Sequence, residues 1–164
     1  MEDFVYRHIG IIRSPHKRPE GTPIQPDGAR GVKGRVEVRS EYSDFLTDLE
    51  GFSHIILIYH FHQAKESKPL VKPYMDGRKH GLFATRSPAR PNKIGLSVVK
   101  LLGIENTVLQ IENVDLLDGT PLLDIKPYVT SFDYPGQTKE GWLEKRIHQL
   151  RDTTADGRFA GEAN

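Results

Sequence analysis

"VKGRVEVRS" (32–40) sets Val32, Val36 and Val38 against Lys33, Arg35, Glu37 and Arg39. Apolar residues at every second position put one face of a strand in a core and the other in water. The neighbouring segments read the same way. "FVYRHIGIIRS" (4–14) is a candidate first strand ending at Pro15, and "SHIILIYHFHQ" (53–63) is the most buried-looking strand. Further strands are expected at 81–86, 94–104, 107–114 and 121–126. Helical signals are fewer. "EYSDFLTDLEGF" (41–52) allows a turn or two, with Phe45 and Leu49 at helical spacing and Gly51 as a stop. "TKEGWLEKRIHQL" (138–150) places Leu143, Ile147 and Leu150 on one face of an amphipathic helix. Residues 15–31 and 64–80 carry Pro and Gly without helical period and read as loops, and a loop as long as the first is often functional.

Strands outnumber helices and do not alternate with them, which favours an antiparallel sheet or barrel over a doubly wound fold. The expected architecture is mostly β: a single small antiparallel β-barrel with short helices. Residues 1–137 form the barrel, 138–153 a C-terminal amphipathic helix packed on it, and 154–164 a disordered tail.

A chain of 164 residues is long enough to bury a real core. It contains no cysteine, which removes disulfides, thiolate metal sites and cysteine nucleophiles. The start, "MEDFVYRHIG", lacks the apolar run of a secretory signal, and "IILIYHF" (55–61) is too short to span a membrane. A soluble, cytoplasmic protein is expected. Net charge is +1, but the charges are segregated. Lys65, Lys68, Lys72, Arg78, Lys79, Arg86, Arg90, Lys93 and Lys100 face only Glu66 and Asp76, whereas 101–125 holds Glu105, Glu112, Asp115, Asp118 and Asp124 without a basic residue. A polyanion-facing patch and a set of solvated loops both fit this pattern.

His54, His60 and His62 share one strand face with Ile56 and Ile58, yet no third metal ligand accompanies them, so no metal is expected. "DGARGVKG" (27–34) has glycines but follows a loop and precedes a strand, the wrong context for a dinucleotide-type loop. Ser87 is followed by proline and lacks the glycine-flanked elbow of a hydrolase nucleophile. In "DLLDGTPLLDIKPY" (115–128) an Asp-Gly turn suits a hairpin. Asp124 and Lys126, two apart on a strand, share a face where they can pair or hold a polar ligand.

The segments "IGIIRSP" (9–15), "PIQP" (23–26), "LEGFSHIILIYHFH" (49–62), "GLFATRSPARPNKIGLSVVKLL" (81–102) and "DLLDGTPLLDIKPY" together resemble the TsaA/TrmO-type family. These are S-adenosylmethionine-dependent tRNA methyltransferases built on a small β-barrel. The likeness covers roughly residues 5–135, in the family's order. It implies a methyl donor, S-adenosylmethionine, bound in a cleft beside the barrel and at a homodimer interface, without a Rossmann fold. It also implies methylation of the exocyclic nitrogen of threonylcarbamoyl-adenosine next to the tRNA anticodon. By resemblance, the donor contacts are Pro23, Ile24, Gln25, His62, Gln63, Arg90, Leu96 and the turn Asp118, Gly119, Thr120 and Pro121. Arg86 faces either the donor, the acceptor or a partner subunit. A guanidinium suits a carboxylate or phosphate because its fork donates two parallel hydrogen bonds.

Alignment of donor and acceptor supplies much of such a catalysis. A general base would assist a poorly nucleophilic nitrogen, with Asp124, His62 and Lys126 as the candidate catalytic residues and a water as an alternative to them. The basic stretch 65–100 would meet the tRNA backbone, and Tyr74 or Phe83 would stack on a base, against core packing as the plainer role. Lys93 stands where the family usually has proline, which removes rigidity and adds a charge. Many bacterial members also carry a C-terminal domain that this chain is expected to lack. Two other readings stay open: a methyltransferase on another acceptor, and a non-catalytic S-adenosylmethionine- or nucleic-acid-binding module.

Overall fold

The structure, a computed structural model, describes residues 3–161. Six strands close into an antiparallel barrel: β1 (Gly10–Arg13), β2 (Lys33–Val38), β3 (His54–His60), β6 (Ile94–Glu105), β7 (Val108–Glu112) and β8 (Thr120–Pro127). Their order around the barrel is β1-β2-β7-β6-β3-β8, and β8 pairs back onto β1 with Ile12 opposite Thr120. Closure leaves no unpaired sheet edge. Two-residue strands β4 (Leu70–Val71) and β5 (His80–Gly81) form a separate ribbon. The expected antiparallel barrel is therefore observed.

Strand alternation fills the interior. Val36 and Val38 of β2, Ile55, Leu57 and Tyr59 of β3, Val99 and Leu101 of β6, and Leu109 and Ile111 of β7 point inward and are buried. Each fully buried aliphatic side chain contributes about 1.5–3 kcal/mol. Inward positions of β6 also include Gly95 and Ser97. At Gly95 the Tyr59 ring lies so close that a Cβ would sit 2.3 Å from its Cε2. Glycine is what admits the tyrosine there.

Four expectations are corrected. Residues 4–9 are not strand: β2 ends at Val38 opposite Gly10, and the chain then turns into a 3₁₀ helix (Ser40–Leu46). Backbone pairing therefore stops at Ile9, which donates to the Leu122 carbonyl at 2.8 Å and accepts from the Arg39 N–H at 2.9 Å. Phe4, Val5 and Tyr6 are exposed. The strand expected at 81–86 shrinks to β5 because its partner β4 is two residues long. A 3₁₀ turn (Leu82–Ala84) follows, fixed by the Thr85 hydroxyl donating to the Leu82 carbonyl at 2.8 Å.

The single C-terminal helix is replaced by two 3₁₀ turns, Gly141–Leu143 and Ile147–Asp152. Side-chain anchors hold this segment to the loops: Trp142 Nε1 donates to the Ala84 carbonyl at 2.8 Å, and Arg146 Nη1 to the Met75 carbonyl at 3.0 Å. Residues 154–161 of the expected disordered tail are packed against the rest of the chain, and 162–164 lie outside the described residues. Thr154 bridges to Pro23, Ala160 bridges to Ala64, and Phe159 is buried with Val71, Leu82 and Ala89. Backbone pairing and an aromatic anchor outweigh the polar composition that suggested disorder.

Lys93 has φ 49° and donates its N–H to the Arg90 carbonyl at 3.2 Å. A proline ring fixes φ near −65° and has no N–H. The lysine thus marks a different local backbone, beyond a loss of rigidity. Among the described residues no helix is long and apolar enough to cross a membrane.

Candidate active site

A cavity of about 970 Å³ lies between the barrel and the outer layer built from β4, β5, the 82–92 loop and the C-terminal segment. Its barrel side comes from Ile58, Tyr59 and Phe61 at the end of β3 and from Ile94, Gly95 and Leu96 at the start of β6. Trp142, Leu143 and Phe159 line the far side. The sequence thus builds the site from two hydrophobic clusters, the barrel core and the small core around Phe159.

The loop 82–92 supplies two arginines with different duties. Arg90 Nη1 donates to the Thr85 carbonyl at 2.9 Å and to the Ser87 carbonyl at 3.5 Å, and its guanidinium stands 5.6 Å from the centre of the Phe83 ring. It ties the loop to itself. Arg86 instead crosses the cavity and donates to Gln25 Oε1 at 2.7 Å. The loop from Thr22 to Gln25 is set by the Thr22 hydroxyl, which donates to the Arg18 carbonyl at 2.8 Å, and by the bridge from Pro23 to Thr154.

Of the expected donor contacts, the cavity brings together Pro23, Ile24, Gln25, His62, Gln63, Arg86, Arg90, Leu96 and Thr120. Burial and the neighbouring His60 lower the His62 imidazole pKa, which favours its neutral form. The rest of the Asp118–Pro121 turn does structural work outside the lining. Asp118 accepts the Ser14 N–H at 3.1 Å and pairs with Lys17 at 2.9 Å, interactions that hold its carboxyl below the usual carboxylate range. Gly119 sits at φ 79° and donates its N–H to the Ile12 carbonyl at 2.9 Å, and Pro121 lies opposite Ile11 in the β1–β8 ladder. Asp124 and Lys126 pair with each other at 2.8 Å on the half-exposed outer face of β8, outside the cavity lining, with Asp124 opposite the lining residue Ile58 in the β3–β8 ladder.

Tyr74 lines the cavity beneath Arg158, whose guanidinium is 5.0 Å from its ring centre. Phe83 is 80% exposed at the cavity.

Three residues that sequence reasoning passed over meet at the cavity floor. Ser97 Oγ donates to Asp115 Oδ1 at 2.8 Å, and the Tyr59 hydroxyl is 3.0 Å from the same Oγ. Ser97 is buried, while Tyr59 and Asp115 line the cavity. Loss of solvent pushes the Asp115 carboxyl up to about 7, against the Ser97 hydrogen bond and the charge of Arg86. Burial likewise raises the Tyr59 hydroxyl, which stays protonated and able to donate. The sequence signal was a serine at an inward strand position, since a polar group there needs a partner.

Behind the far wall, Asp76 is 1% exposed at its side chain and is held by two guanidinium groups and an imidazole. His80 Nε2 lies at 3.0 Å, Arg146 at 3.3 Å and Arg78 at 3.4 Å. His80 stacks on Trp142 with ring centres 4.5 Å apart, so this knot braces the C-terminal wall. Among the described residues no group of three or more His, Cys, Asp or Glu is placed to hold a metal ion.

Residues 11–134 match the family model for the tRNA-methyltransferase O N-terminal domain. A probable S-adenosyl-L-methionine-binding protein of Pyrococcus abyssi is 58% identical over 94% of this chain and 84% of its own length. The tRNA (adenine(37)-N6)-methyltransferase of Escherichia coli is 39% identical over 79% of this chain, which spans 59% of that enzyme. The crystal structure of TrmO from Pseudomonas aeruginosa superposes with a TM-score of 0.73 at 38% identity, covering 86% of this chain and 63% of that one. The barrel, its loop of paired arginines and the matched model together make the chain a member of the tRNA-methyltransferase O N-terminal domain family.

Proposed function

We propose that the protein transfers a methyl group from S-adenosylmethionine to the exocyclic N6 of the adenosine at position 37 of tRNA, with threonylcarbamoyl-adenosine as the acceptor. The observation that carries this reading is the cavity of about 970 Å³ with Arg86, Gln25 and Asp115 inside it. Small-molecule sites occupy roughly 300–1,000 Å³. A donor with a carboxylate at one end needs a guanidinium, and Arg86 in this lining provides one. Pro23, Ile24, Gln25, His62, Gln63, Arg90, Leu96 and Thr120 are the proposed donor contacts. The names of the Escherichia coli and Pyrococcus abyssi relatives support the acceptor and the donor respectively.

The exposed Lys65, Lys68, Lys72, Arg78 and Lys79 beside the cavity suit a phosphate backbone. A homodimer and a cytoplasmic location complete the reading. Apolar side chains at the cavity rim, Phe83 at 80% exposure and Leu96 at 50%, offer surface for a second copy to cover.

The test is incubation of the protein with methyl-labelled S-adenosylmethionine and tRNA carrying the modified adenosine. Label in the N6-methylated nucleoside supports the reading. Donor binding without any transferred label would leave a binding module, and label in another acceptor would leave a different methyltransferase.

A further inference from the structure

The proposed transfer must dispose of a proton, and the residues marked for that role by sequence are poorly placed. Asp124 and Lys126 neutralise each other on the outer face of β8. His62 lines the cavity, but its ring meets only its own chain neighbours among the described residues, Gln63 at 3.3 Å and the His60 backbone. Asp115 differs on both counts. It lies in the wall where the end of β3 and the start of β6 meet the cavity, and a chain of hydroxyls fixes it.

The direction of that chain follows from donor counting. An ionised carboxylate only accepts, so Ser97 Oγ donates its hydrogen to Asp115 and must accept from the Tyr59 hydroxyl. The tyrosine is itself confined, 3% exposed and pressed against Gly95. Nothing in this arrangement carries a proton out through the core. It holds one carboxylate oxygen and leaves the other unclaimed by the hydroxyl chain. Arg86, whose charge bears on both Asp115 and Tyr59, is the cation that favours the ionised form.

We infer that Asp115 is the proton acceptor of the methyl transfer, with Ser97 and Tyr59 as positioning residues that fix its carboxylate at the cavity wall. This rests on the methyltransferase reading above. The acceptor nitrogen forms a bond to the methyl carbon as the carbon–sulfur bond breaks, and that electron pair stays on sulfur as a neutral thioether. The nitrogen's proton passes to the Asp115 carboxylate, which becomes a neutral acid and later yields the proton to water. Charge and atoms balance: one sulfonium and one carboxylate are consumed, and one thioether and one carboxylic acid are formed. A carboxylate whose acid form lies near neutrality suits this role, since a base works best with a pKa close to the working pH.

The experiment compares wild type, Asp115→Asn and Ser97→Ala. Single-turnover methylation of tRNA bearing threonylcarbamoyl-adenosine is followed across pH, and S-adenosylmethionine affinity is measured by calorimetry. For Asp115→Asn the expected result is a rate loss of about 100-fold or more, with donor affinity within about threefold of wild type. The wild-type rate should rise with pH through the region of 7, and this limb should vanish in the variant. Ser97→Ala removes a hydrogen bond that favours the charged form, so its limb moves to higher pH. That shift carries the test if Asp115→Asn fails to fold.

A readout without substrate is available in the free protein. Asp115 has a folded pKa of about 7 against an ordinary 3.8, so the native state binds the extra proton and loses stability as pH rises between them. The melting temperature of Asp115→Asn should gain on wild type across that window.

A rate for Asp115→Asn equal to wild type, a pH limb that survives the substitution, or a rate loss matched by lost donor affinity would overturn the assignment alone. Absence of transfer by wild type would overturn the methyltransferase reading and this inference with it.

Discussion

Arg86 Nη1 donates to Gln25 Oε1 across 2.7 Å, joining two loops that lie 61 residues apart in the chain. Both side chains line the cavity, so the contact ties two parts of its lining together and holds Gln25 in place before any ligand arrives. Preorganisation of this kind lowers the ordering cost of binding.

Replacing Arg86 with Ala should therefore separate stability from binding. The pair is exposed, and its loss should cost about 1 kcal/mol or less in chemical denaturation. Affinity for S-adenosylmethionine should fall roughly tenfold or more, the worth of one hydrogen bond to a charged group. Titration calorimetry on the two proteins checks both halves.

Gly95→Ala should cost stability. The new methyl would lie 2.5 Å from Tyr59 Cζ and 2.7 Å from Phe61 Cζ, and both rings belong to the packed end of β3. Overpacking of this sort costs about 1–3 kcal/mol. Urea unfolding should show a lower midpoint with an unchanged slope.

Asp76 should give the fold an acid limit. Its carboxyl is lowered to about 2, chiefly by the Arg78 N–H and then by His80, Arg146 and the Arg78 charge. A folded pKa below the ordinary 3.8 means that the stabilisation is complete above about 4 and is lost as pH falls towards 2. In Asp76→Asn the melting temperature should be lower at neutral pH, and the gap to wild type should close as the pH falls through that window. Because Arg146 loses its charged partner, amides of the 147–152 turn should also exchange faster. Unchanged exchange there would remove the bracing role of this knot.

The barrel was legible because its strands obey a period of two. Val36, Val38, Ile55 and Leu57 fall inside as the alternation requires. The outer layer was not legible for the same physical reason. Residues 82–84, 141–143 and 147–152 take short 3₁₀ turns whose shape is set by distant partners such as Ala84, Met75 and Asp76, and no local period records those contacts. Phe159 sits in a polar tail in sequence, and its burial against Val71 and Leu82 comes from chain far away.

The site divides similarly. Gln25, His62, Arg86 and Arg90 came from motif likeness and meet at the cavity. Asp124 and Lys126, two residues apart on β8, pair with each other outside it. In the sequence Asp115 is one acid of an acidic stretch, because its hydroxyl partner Ser97 and the buried Tyr59 lie on distant strands.

Thermal melting with and without saturating S-adenosylmethionine tests the central claim, that this cavity is built for the methyl donor. A ligand at about a hundredfold over its dissociation constant stabilises the native state by about 2.7 kcal/mol. For a domain of this size the account predicts a rise of roughly 5–11 °C, reduced in Arg90→Ala, which loosens the loop that forms the site. A cooperative transition at the same temperature with and without the donor would contradict it.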